Sequence, residues 1–261
     1  NRELTVLFAD VRGFTAISEQ LAPAALREYI NAYLTAMSED IRDSHGGTLD
    51  KYIGDAVMAF WGAPVAFGDH ASRAVASALL MQASAARLNR QFCARGWPAL
   101  RIGIGLNTGP MHVGDMGSRI RRAYTVMGDS VNLAARLEGA SKLYGVGIVV
   151  GEATRAAAPD CLYRELDRVR VVGKQEAVAI FEPRCLLADA PAAELAQLER
   201  WHAALASLRA RDWAAAGAQL ASLQADFPDD GLYRLYAARL AQYRNAPPSA
   251  GWDGVTELHS K

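Results

Sequence analysis

Two aspartates stand where predicted strands end, and their placement predicts a shared metal site. Asp10 lies near the end of the apolar run 4–11, which predicts a central strand. Asp55 lies in the Gly54-Asp55 turn of a predicted hairpin over residues 49–62. If these strands are neighbours in one sheet, the two carboxylates converge, and such a pair usually binds a divalent cation. Metal ions of this kind bridge phosphate oxygens in in-line displacements, whereas an ordinary turn aspartate is the alternative.

Asn132 and Arg136 form a second candidate pair, in a segment whose periodicity predicts a helix from about Ser130 to Gly145. Their four-residue spacing places both side chains on one helical face. A carboxamide and a guanidinium on that face can hold a sugar and a charged phosphorus centre. A solvated polar face is the alternative. Amides in the segment 11–15, at the start of another helix, can bind phosphate oxygens.

The elements that must position these residues are strands interleaved with helices, which predicts an α+β fold with helices packed against a sheet. This pattern accounts for residues 1–185. In the hairpin, Lys51 and Ile53 lie in the first strand, and Ile53 is expected on its inner face. Residues 108–110 contain Gly and Pro, which predicts a meeting point of two strands there.

Residues 186–261 are expected to form a C-terminal extension. They are rich in Ala and Leu, which predicts two or three amphipathic helices broken near Asp212 and Phe227. One helix pair is similar to a tetratricopeptide repeat, but such arrays need several copies. A structural appendage or docking segment is therefore expected, with an independent repeat domain as the alternative. The Pro-rich tail from residue 246 is expected to be irregular.

The composition describes a folded and charge-balanced chain. Of its 261 residues 51% are hydrophobic, and 28 Lys and Arg equal 28 Asp and Glu. The balanced charge argues against nucleic acid as the main partner. Cys93, Cys161 and Cys185 are far apart and lack zinc-site spacing, which predicts free thiols in a reducing compartment. No run of about 18 apolar residues predicts a membrane span.

Four ordered segments resemble the motifs of the class III nucleotidyl cyclase catalytic domain: LFADVRGFT, DKYIGDAVMAFWG, IGLNTGPMHVGDMGS and RRAYTVMGDSVNLAARL. The resemblance covers residues 4 to about 183 and implies that family's fold, a ferredoxin-like, antiparallel-rich sheet with helices packed against it. Its two metal-binding acids match Asp10 and Asp55, which implies two Mg²⁺ or Mn²⁺ ions per active site. The backbone around Val11 and Phe14 is then implied to help hold metal and triphosphate.

The resemblance also implies how the substrate is read. The family's purine-reading lysine matches Lys51, and Thr125 occupies the partner position, as in a Thr-variant subgroup of adenylyl cyclases. This pair favours ATP over GTP, because a lysine donates to adenine N1, whereas an acid suits the N1–H and amino group of guanine. Asn132 matches the residue that orients the ribose. Arg136 matches the residue that stabilises charge on the pentacoordinate phosphorus.

The implied reaction converts ATP to 3′,5′-cyclic AMP and pyrophosphate in a head-to-tail homodimer with two equivalent sites. In each site, Asp10 and Asp55 come from one chain, and the base, ribose and phosphate ligands come from the other. Lys174 matches a lysine that grips the terminal phosphates, although Val172 replaces a more usual lysine of that motif. The alternative is a degenerate cyclase fold that senses nucleotide or dimerises. Such modules usually lose a metal acid or the Asn/Arg pair.

The Pro-rich tail with the segment WDGV resembles the extension of bacterial cyclases that carry an extracellular sensor and transmembrane helices. Because the chain begins at Asn1 rather than Met, we expect a fragment whose upstream sensory or membrane segments are missing. We therefore expect the cytoplasmic domain of a bacterial inner-membrane protein. The Thr-variant subgroup includes enzymes stimulated by bicarbonate, which makes bicarbonate a candidate activator.

Overall fold

The computed structural model describes residues 1–171 and 176–258, and it confirms an α+β architecture. Within those ranges one nine-stranded sheet has the order β2-β3-β1-β4-β6-β8-β7-β9, with β5 paired to β4. None of the helices described there is both long and apolar enough to span a bilayer. The strands are β1 (Arg2–Val11), β2 (Thr48–Ile53), β3 (Ala56–Trp61), β4 (Ile102–Gly117), β5 (Arg122–Met127), β6 (Ile148–Gly151), β7 (Cys161–Val171), β8 (Ala177–Leu186) and β9 (Val255–Leu258). The helices are α1 (Phe14–Gln20), α2 (Pro23–Arg42), α3 (His70–Ala94), α4 (Asp129–Tyr144), α5 (Glu152–Ala157), α6 (Ala192–Arg209), α7 (Trp213–Asp226) and α8 (Gly231–Asn245).

β1 lies in the middle of the sheet and is antiparallel to both of its neighbours, β3 and β4. Residues 4–7 are all buried, because helices cover both faces, which explains an apolar run rather than an alternating one. Leu7 packs with α2 and α3, whereas Val6 packs with α4 on the opposite face. The predicted hairpin is confirmed as β2–β3, and it pairs with β1 through Ala9 and Val57. This register brings the hairpin turn to the end of β1.

Two local expectations about strands are wrong. β4 is one strand of 16 residues that runs through residues 108–110 without turning. Proline is tolerated in a strand where no neighbouring strand needs its N–H. Among the described residues, β6 pairs with residues 104–106 of β4 and does not extend to Pro110. Pro110 therefore has β1 as its neighbouring strand on one side and, in the described part of the chain, no paired strand on the other. Ile53 is 55% exposed instead of facing inward, because β2 is the last strand of the sheet at that side.

α4 lies very close to β4. A Cβ atom at Gly105 would lie 2.1 Å from Glu138 N and 2.4 Å from the Ala134 carbonyl oxygen, so only glycine permits this approach. Val131, Ala134 and Leu137 are buried at helical spacing on the inner side of α4. The contact therefore fixes both the depth and the rotation of the helix that follows β5.

The C-terminal extension contains α6, α7 and α8, which confirms the predicted helices and their breaks. Asp212 and Asp230 cap the last two of these helices by accepting backbone N–H groups three and two residues later. The three helices share a buried apolar cluster with α4 and β7. Where α8 begins, Gly231 touches Gly145 at the end of α4, and a Cβ at Gly145 would lie 2.8 Å from Gly231 Cα.

The expectation of an irregular tail is wrong for its last described residues. β9 adds to the sheet in parallel with β7, with Val255 opposite Arg168. Before the strand, Trp252 packs on the rings of Trp213 and Tyr243. The strand forms because it finds an edge that is distant in sequence, and the local Pro- and Gly-rich pattern contains no trace of that edge.

Candidate active site

Asp10 and Asp55 converge at the end of β1. The Val11 N–H donates to Asp10 Oδ1 at 3.0 Å and to Asp55 Oδ2 at 3.2 Å, so one amide holds both carboxylates. Next to it, the Arg12 N–H donates to the Arg101 carbonyl on the opposite side. In a regular antiparallel strand the N–H and the carbonyl of one residue point to the same side, so strand geometry predicts that the Val11 carbonyl points to the side of its N–H. The predicted adjacency of β1 and the hairpin is what brings the acids together.

The environment of Asp10 disfavours the ionised form of its carboxyl group. Burial, the hydrogen bond to Asp55 and repulsion from Asp55 together raise the pKa of Asp10 to about 7. Glu138 adds to this repulsion, and the N–H of Val11 only partly offsets it. A cation placed between the two carboxylates would reverse this balance and favour the charged forms.

A second polar cluster joins β2 to β5. Lys51 Nζ donates to Thr125 Oγ1 at 3.1 Å, and Thr125 Oγ1 donates to Asp50 Oδ2 at 2.5 Å. Lys51 Nζ also lies 3.2 Å from Asp50 Oδ1. The Lys51 side chain is 43% exposed, whereas that of Asp50 has no exposed surface. The structure thus brings together Lys51 and Thr125, the two residues predicted to read a purine.

Asp50 belongs to this cluster, although sequence reasoning missed it. Neighbouring side chains of a regular strand point to opposite faces, which would separate Asp50 from Lys51. The pairing of β2 with β3 shifts register between Leu49 and Lys51, and a bulge of this kind re-aims a side chain. An acid beside a lysine inside a predicted strand is the signal that could have indicated this contact.

α4 carries Asn132 and Arg136 on its outer side. Asn132 is exposed and Arg136 is partly exposed, whereas Val131 and Ala134 are buried. The predicted helix is confirmed, and its geometry gives the two side chains the common face expected from their spacing. Because α4 follows β5 directly, Asn132 lies in the first turns after the strand that carries Thr125.

Two further charged residues beside the acids were missed. Glu138 on α4 contributes to the raised pKa of Asp10, and burial raises the pKa of Glu138 itself, against the opposing effect of Arg12. The Arg12 guanidinium donates to Ser141 Oγ at 3.1 Å and to the Val146 carbonyl. These contacts tie the end of β1 to α4. Arg12 and Glu138 come close to the acids because α4 packs on β4, and no local sequence pattern predicts this packing.

Comparison with known proteins identifies the family. The adenylate and guanylate cyclase catalytic domain matches residues 1–181 of the chain. The chain belongs to this family. An adenylate cyclase of Anabaena cylindrica is 38% identical over 190 residues, which are 69% of this chain and 36% of that protein. The chain therefore spans about a third of the length of that relative.

Two solved cyclase structures resemble the fold. The adenylyl cyclase CyaB from P. aeruginosa superposes with a TM-score of 0.67 at 37% identity, covering 72% of this chain and 97% of that chain. The guanylyl cyclase Cya2 gives a TM-score of 0.66 at 36% identity, covering 71% and 93%. The predicted class III cyclase fold is confirmed. Since an adenylyl and a guanylyl cyclase are about equally similar, the choice of base has to be argued from the residues of the site.

The acid pair of this cyclase domain fits the divalent metals that class III cyclases use. Carboxylate oxygens and a main-chain carbonyl, here that of Val11, are hard donors of the kind that Mg²⁺ and Mn²⁺ prefer. Mg²⁺ is commonly held by one or two carboxylates together with substrate phosphates, so Asp10 and Asp55 are a sufficient protein contribution. The two carboxylates accept from one shared N–H group, and a bound cation would offset the repulsion between them.

The start of α1 is suited to phosphate oxygens. Its first intrahelical bond joins the Ile17 N–H to the Gly13 carbonyl, so the amides of residues 14–16 precede the helical ladder. The side chain of Phe14, the first helical residue, packs against the main core and fixes this position. Lys174, the predicted ligand of the terminal phosphates, lies outside the described residues, as does Val172.

Proposed function

We propose that this cyclase domain is an adenylyl cyclase, which converts ATP to 3′,5′-cyclic AMP and pyrophosphate. The observation that carries this assignment is the contact of Lys51 with Thr125 at 3.1 Å. An ammonium group only donates hydrogen bonds, which suits the acceptor N1 of adenine and opposes the N1–H of guanine. The similarity to the Anabaena adenylate cyclase supports the same substrate.

The proposed reaction forms one phosphorus–oxygen bond and breaks another. The ribose 3′-oxygen attacks the α-phosphorus in line, pyrophosphate leaves, and the hydroxyl proton passes to solvent without a side-chain base. Asn132 orients the ribose, and Arg136 donates to the phosphorus-bound oxygens as negative charge develops. The amides of residues 14–16, together with Lys174, hold the triphosphate. Holding hydroxyl and phosphorus in attack geometry contributes up to about 7–11 kcal/mol in favourable intramolecular cases.

We assign the metal site to Asp10, Asp55 and the Val11 carbonyl. Two Mg²⁺ or Mn²⁺ ions bound there would lower the pKa of the 3′-hydroxyl and neutralise charge on the phosphate oxygens. The chain prepares this site by holding both carboxylates on one N–H group. The hairpin turn and the end of β1 are adjacent in the sheet, so little rearrangement is needed on binding.

The proposed enzyme is a head-to-tail homodimer with two equivalent shared sites. Asp10 and Asp55 come from one chain. The residues of the other chain bind base, ribose and phosphate, and they are Lys51, Thr125, Asn132, Arg136 and Lys174. Three apolar side chains beside these residues are exposed in the single chain, namely Tyr52 at 46%, Ile53 at 55% and Met127 at 54%. Apolar surface next to a polar site is typical of an interface, and a two-fold axis buries the same patch on both chains.

We also propose that the domain works on the cytoplasmic side of a bacterial inner membrane, under the control of sensory segments in the same protein. ATP as the substrate supports this location. The Anabaena relative is about three times as long as its matched region, so other segments accompany a cyclase domain in that protein. Bicarbonate stays a candidate activator, and an unchanged rate on its addition at fixed pH would dismiss it.

The proposed function is tested by product analysis. The purified chain is incubated with ATP or GTP and with Mn²⁺ or Mg²⁺, and the products are identified by chromatography and mass spectrometry. We expect cyclic AMP and pyrophosphate in equal amounts, formed only with a divalent cation and faster than cyclic GMP. Cyclic GMP as the main product would overturn the base assignment. Nucleotide binding without any cyclic product would support the nucleotide-sensing alternative instead.

A further inference from the structure

We infer that Asp50 is a positioning residue that determines base specificity. It holds the proton of the Thr125 hydroxyl, so that Thr125 can only accept a hydrogen bond from the base. The inference rests on the proposed function, since it concerns how the same site distinguishes ATP from GTP. Asp50 acts through Thr125 and Lys51, because its own side chain is fully buried beneath them.

A hydroxyl group can either donate or accept a hydrogen bond. A threonine hydroxyl has one proton and two lone pairs, so an unrestrained hydroxyl can face either a donor or an acceptor. An ionised carboxylate only accepts. The 2.5 Å contact between Thr125 Oγ1 and Asp50 Oδ2 therefore commits the hydroxyl proton to Asp50. The Lys51 ammonium, which only donates, occupies one lone pair at 3.1 Å.

One lone pair of Thr125 remains for a ligand, and the Lys51 ammonium has a further N–H to donate beside it. Together they present one acceptor and one donor. Adenine offers the complementary pair, an N6 amino donor and an N1 acceptor, whereas guanine offers an O6 acceptor and an N1–H donor. Guanine would thus place its N1–H donor against the Lys51 ammonium, which also donates. It would place its O6 acceptor against the Thr125 lone pair, which also accepts.

The local backbone explains why Asp50 can do this. The register shift between Leu49 and Lys51 allows consecutive residues of β2 to reach the same residue on β5. Burial of the Asp50 carboxylate also matters. A water molecule that reached the carboxylate could replace it as the partner of Thr125, and the hydroxyl could then rotate and donate to the base. With the Asp50 side chain sealed from solvent, the hydrogen bond is strong and its direction is fixed.

The direct test is Asp50→Asn. The amide has nearly the same shape, but its Nδ2 can donate to Thr125 Oγ1, which releases the hydroxyl proton toward the base. We expect the ratio of kcat/KM for ATP to kcat/KM for GTP to fall at least about 10-fold, in part through a gain with GTP. A purely structural role of Asp50 would lower both values alike, and an unchanged ratio would overturn the inference.

Two further variants sharpen the comparison. Asp115→Asn makes the same change at an exposed position of β4, opposite Tyr124 on β5, and should leave the ratio unchanged. Thr125→Val removes the hydroxyl, so adding Asp50→Asn to it should not alter the ratio further, because Asp50 acts through that hydroxyl. A second drop of the ratio in the double variant would show that Asp50 works by another route, against the inference.

A test in the unmodified protein covers the case in which Asp50→Asn does not fold. Purine riboside triphosphate keeps the N1 acceptor of ATP but lacks the N6 amino group. If Thr125 accepts from that group, kcat/KM should fall about 10-fold or more relative to ATP, and an equal value would overturn the inference. The two assays together distinguish a failure of the proposed function from a failure of the role of Asp50. If the unmodified protein forms no cyclic product from any nucleotide, the proposed function is overturned. If it forms cyclic AMP but Asp50→Asn leaves the ATP-to-GTP ratio unchanged, only the role of Asp50 is overturned.

Discussion

Asp10 combines burial with a neighbouring carboxylate, and both favour its neutral form. Its pKa rises from 3.8 to about 7 in the folded chain, first because burial removes water from the charged form. Between these values the folded chain binds a proton that the unfolded chain has released. The free energy of unfolding therefore falls as the pH rises through this interval, and the contribution of Asp10 levels off above it.

For the metal-free protein, this linkage predicts a thermal unfolding temperature that falls between about pH 4 and about pH 7. Asp10→Asn cannot titrate, so its unfolding temperature should fall less over the same range. Circular dichroism in the presence of a chelator measures both curves. Added Mn²⁺ above about pH 7 should raise the unfolding temperature of the unmodified protein more than that of Asp10→Asn. Parallel pH curves for the two proteins would contradict the raised pKa.

Asp55→Ala tests the acid pair from its other side. An outer-shell partner of a metal site contributes about 10–100-fold to affinity or activity, so loss of a direct ligand should lower cyclic AMP formation by more than about 100-fold. The fold should survive, because Asp55 lies in a hairpin turn at the surface. The matched control is Asp43→Ala, since Asp43 is half exposed and pairs with its sequence neighbour Arg42. Full activity of Asp55→Ala would reject its role as a ligand.

Among single elements, the sequence pattern predicted those strands, turns and helices that depend on residues close together in the chain. The apolar run of β1, the Gly54-Asp55 turn and the helical period of α4 each depend on residues close in sequence. The acids and the Lys51–Thr125 pair followed from these elements and from the family motifs. The elements are local, so one sequence was enough to predict them, whereas the contact of Lys51 with Thr125 joins distant segments and was expected only from the family motifs.

The features that were missed depend on contacts between distant segments. β4 continues through Pro110 because of which strands lie beside it, and β9 forms because the edge of β7 is open to it. Asp50 reaches Thr125 only through a bulge in β2. Periodicity treats a strand as regular, so it cannot show a register shift or identify the partner of an edge. The Asp50 contact was missed for this physical reason.

Asp167 on β7 is the contact point of several elements. Its Oδ2 accepts from Tyr144 of α4 at 2.6 Å, from Arg239 of α8 at 2.7 Å and from Thr256 of β9 at 2.8 Å. The side chain is only 4% exposed. Removal of such a carboxylate leaves the buried Arg239 charge without compensation, which is strongly destabilising.

We therefore expect Asp167→Ala to lower the free energy of unfolding by about 3–5 kcal/mol in urea titrations. A surface ion pair provides the matched comparison. Asp226 pairs with Arg200 at 2.7 Å with both side chains well exposed, so Asp226→Ala should cost only about 0–1 kcal/mol. Equal losses in the two variants would mean that the Asp167 contacts do not hold α4, α8 and β9 together.

For the molecule as a whole, the extension and the cyclase domain form one packed body. The helices α6–α8 share their buried cluster with α4, the helix that carries Asn132 and Arg136. Arg164 of β7 is 2% exposed and bonds Asp230 at the start of α8. We propose that residues 1–185 perform the chemistry and that residues 186–261 act as a structural appendage that supports α4 from behind. The extension packs near the β7 end of the strand order, so this arrangement leaves the β2 edge of the sheet for a second chain.

The shared-site dimer predicts complementation between inactive chains. Asp55→Ala and Asn132→Ala remove residues that different chains contribute to a site, so their heterodimer retains one intact site of two. Co-expression with two affinity tags isolates this heterodimer, and we expect about half the activity of the unmodified dimer. The control pairs Asp55→Ala with Asp10→Ala, which come from the same chain in each site and leave neither site intact. Activity in this control, or its absence from the first heterodimer, would contradict sites built from two chains.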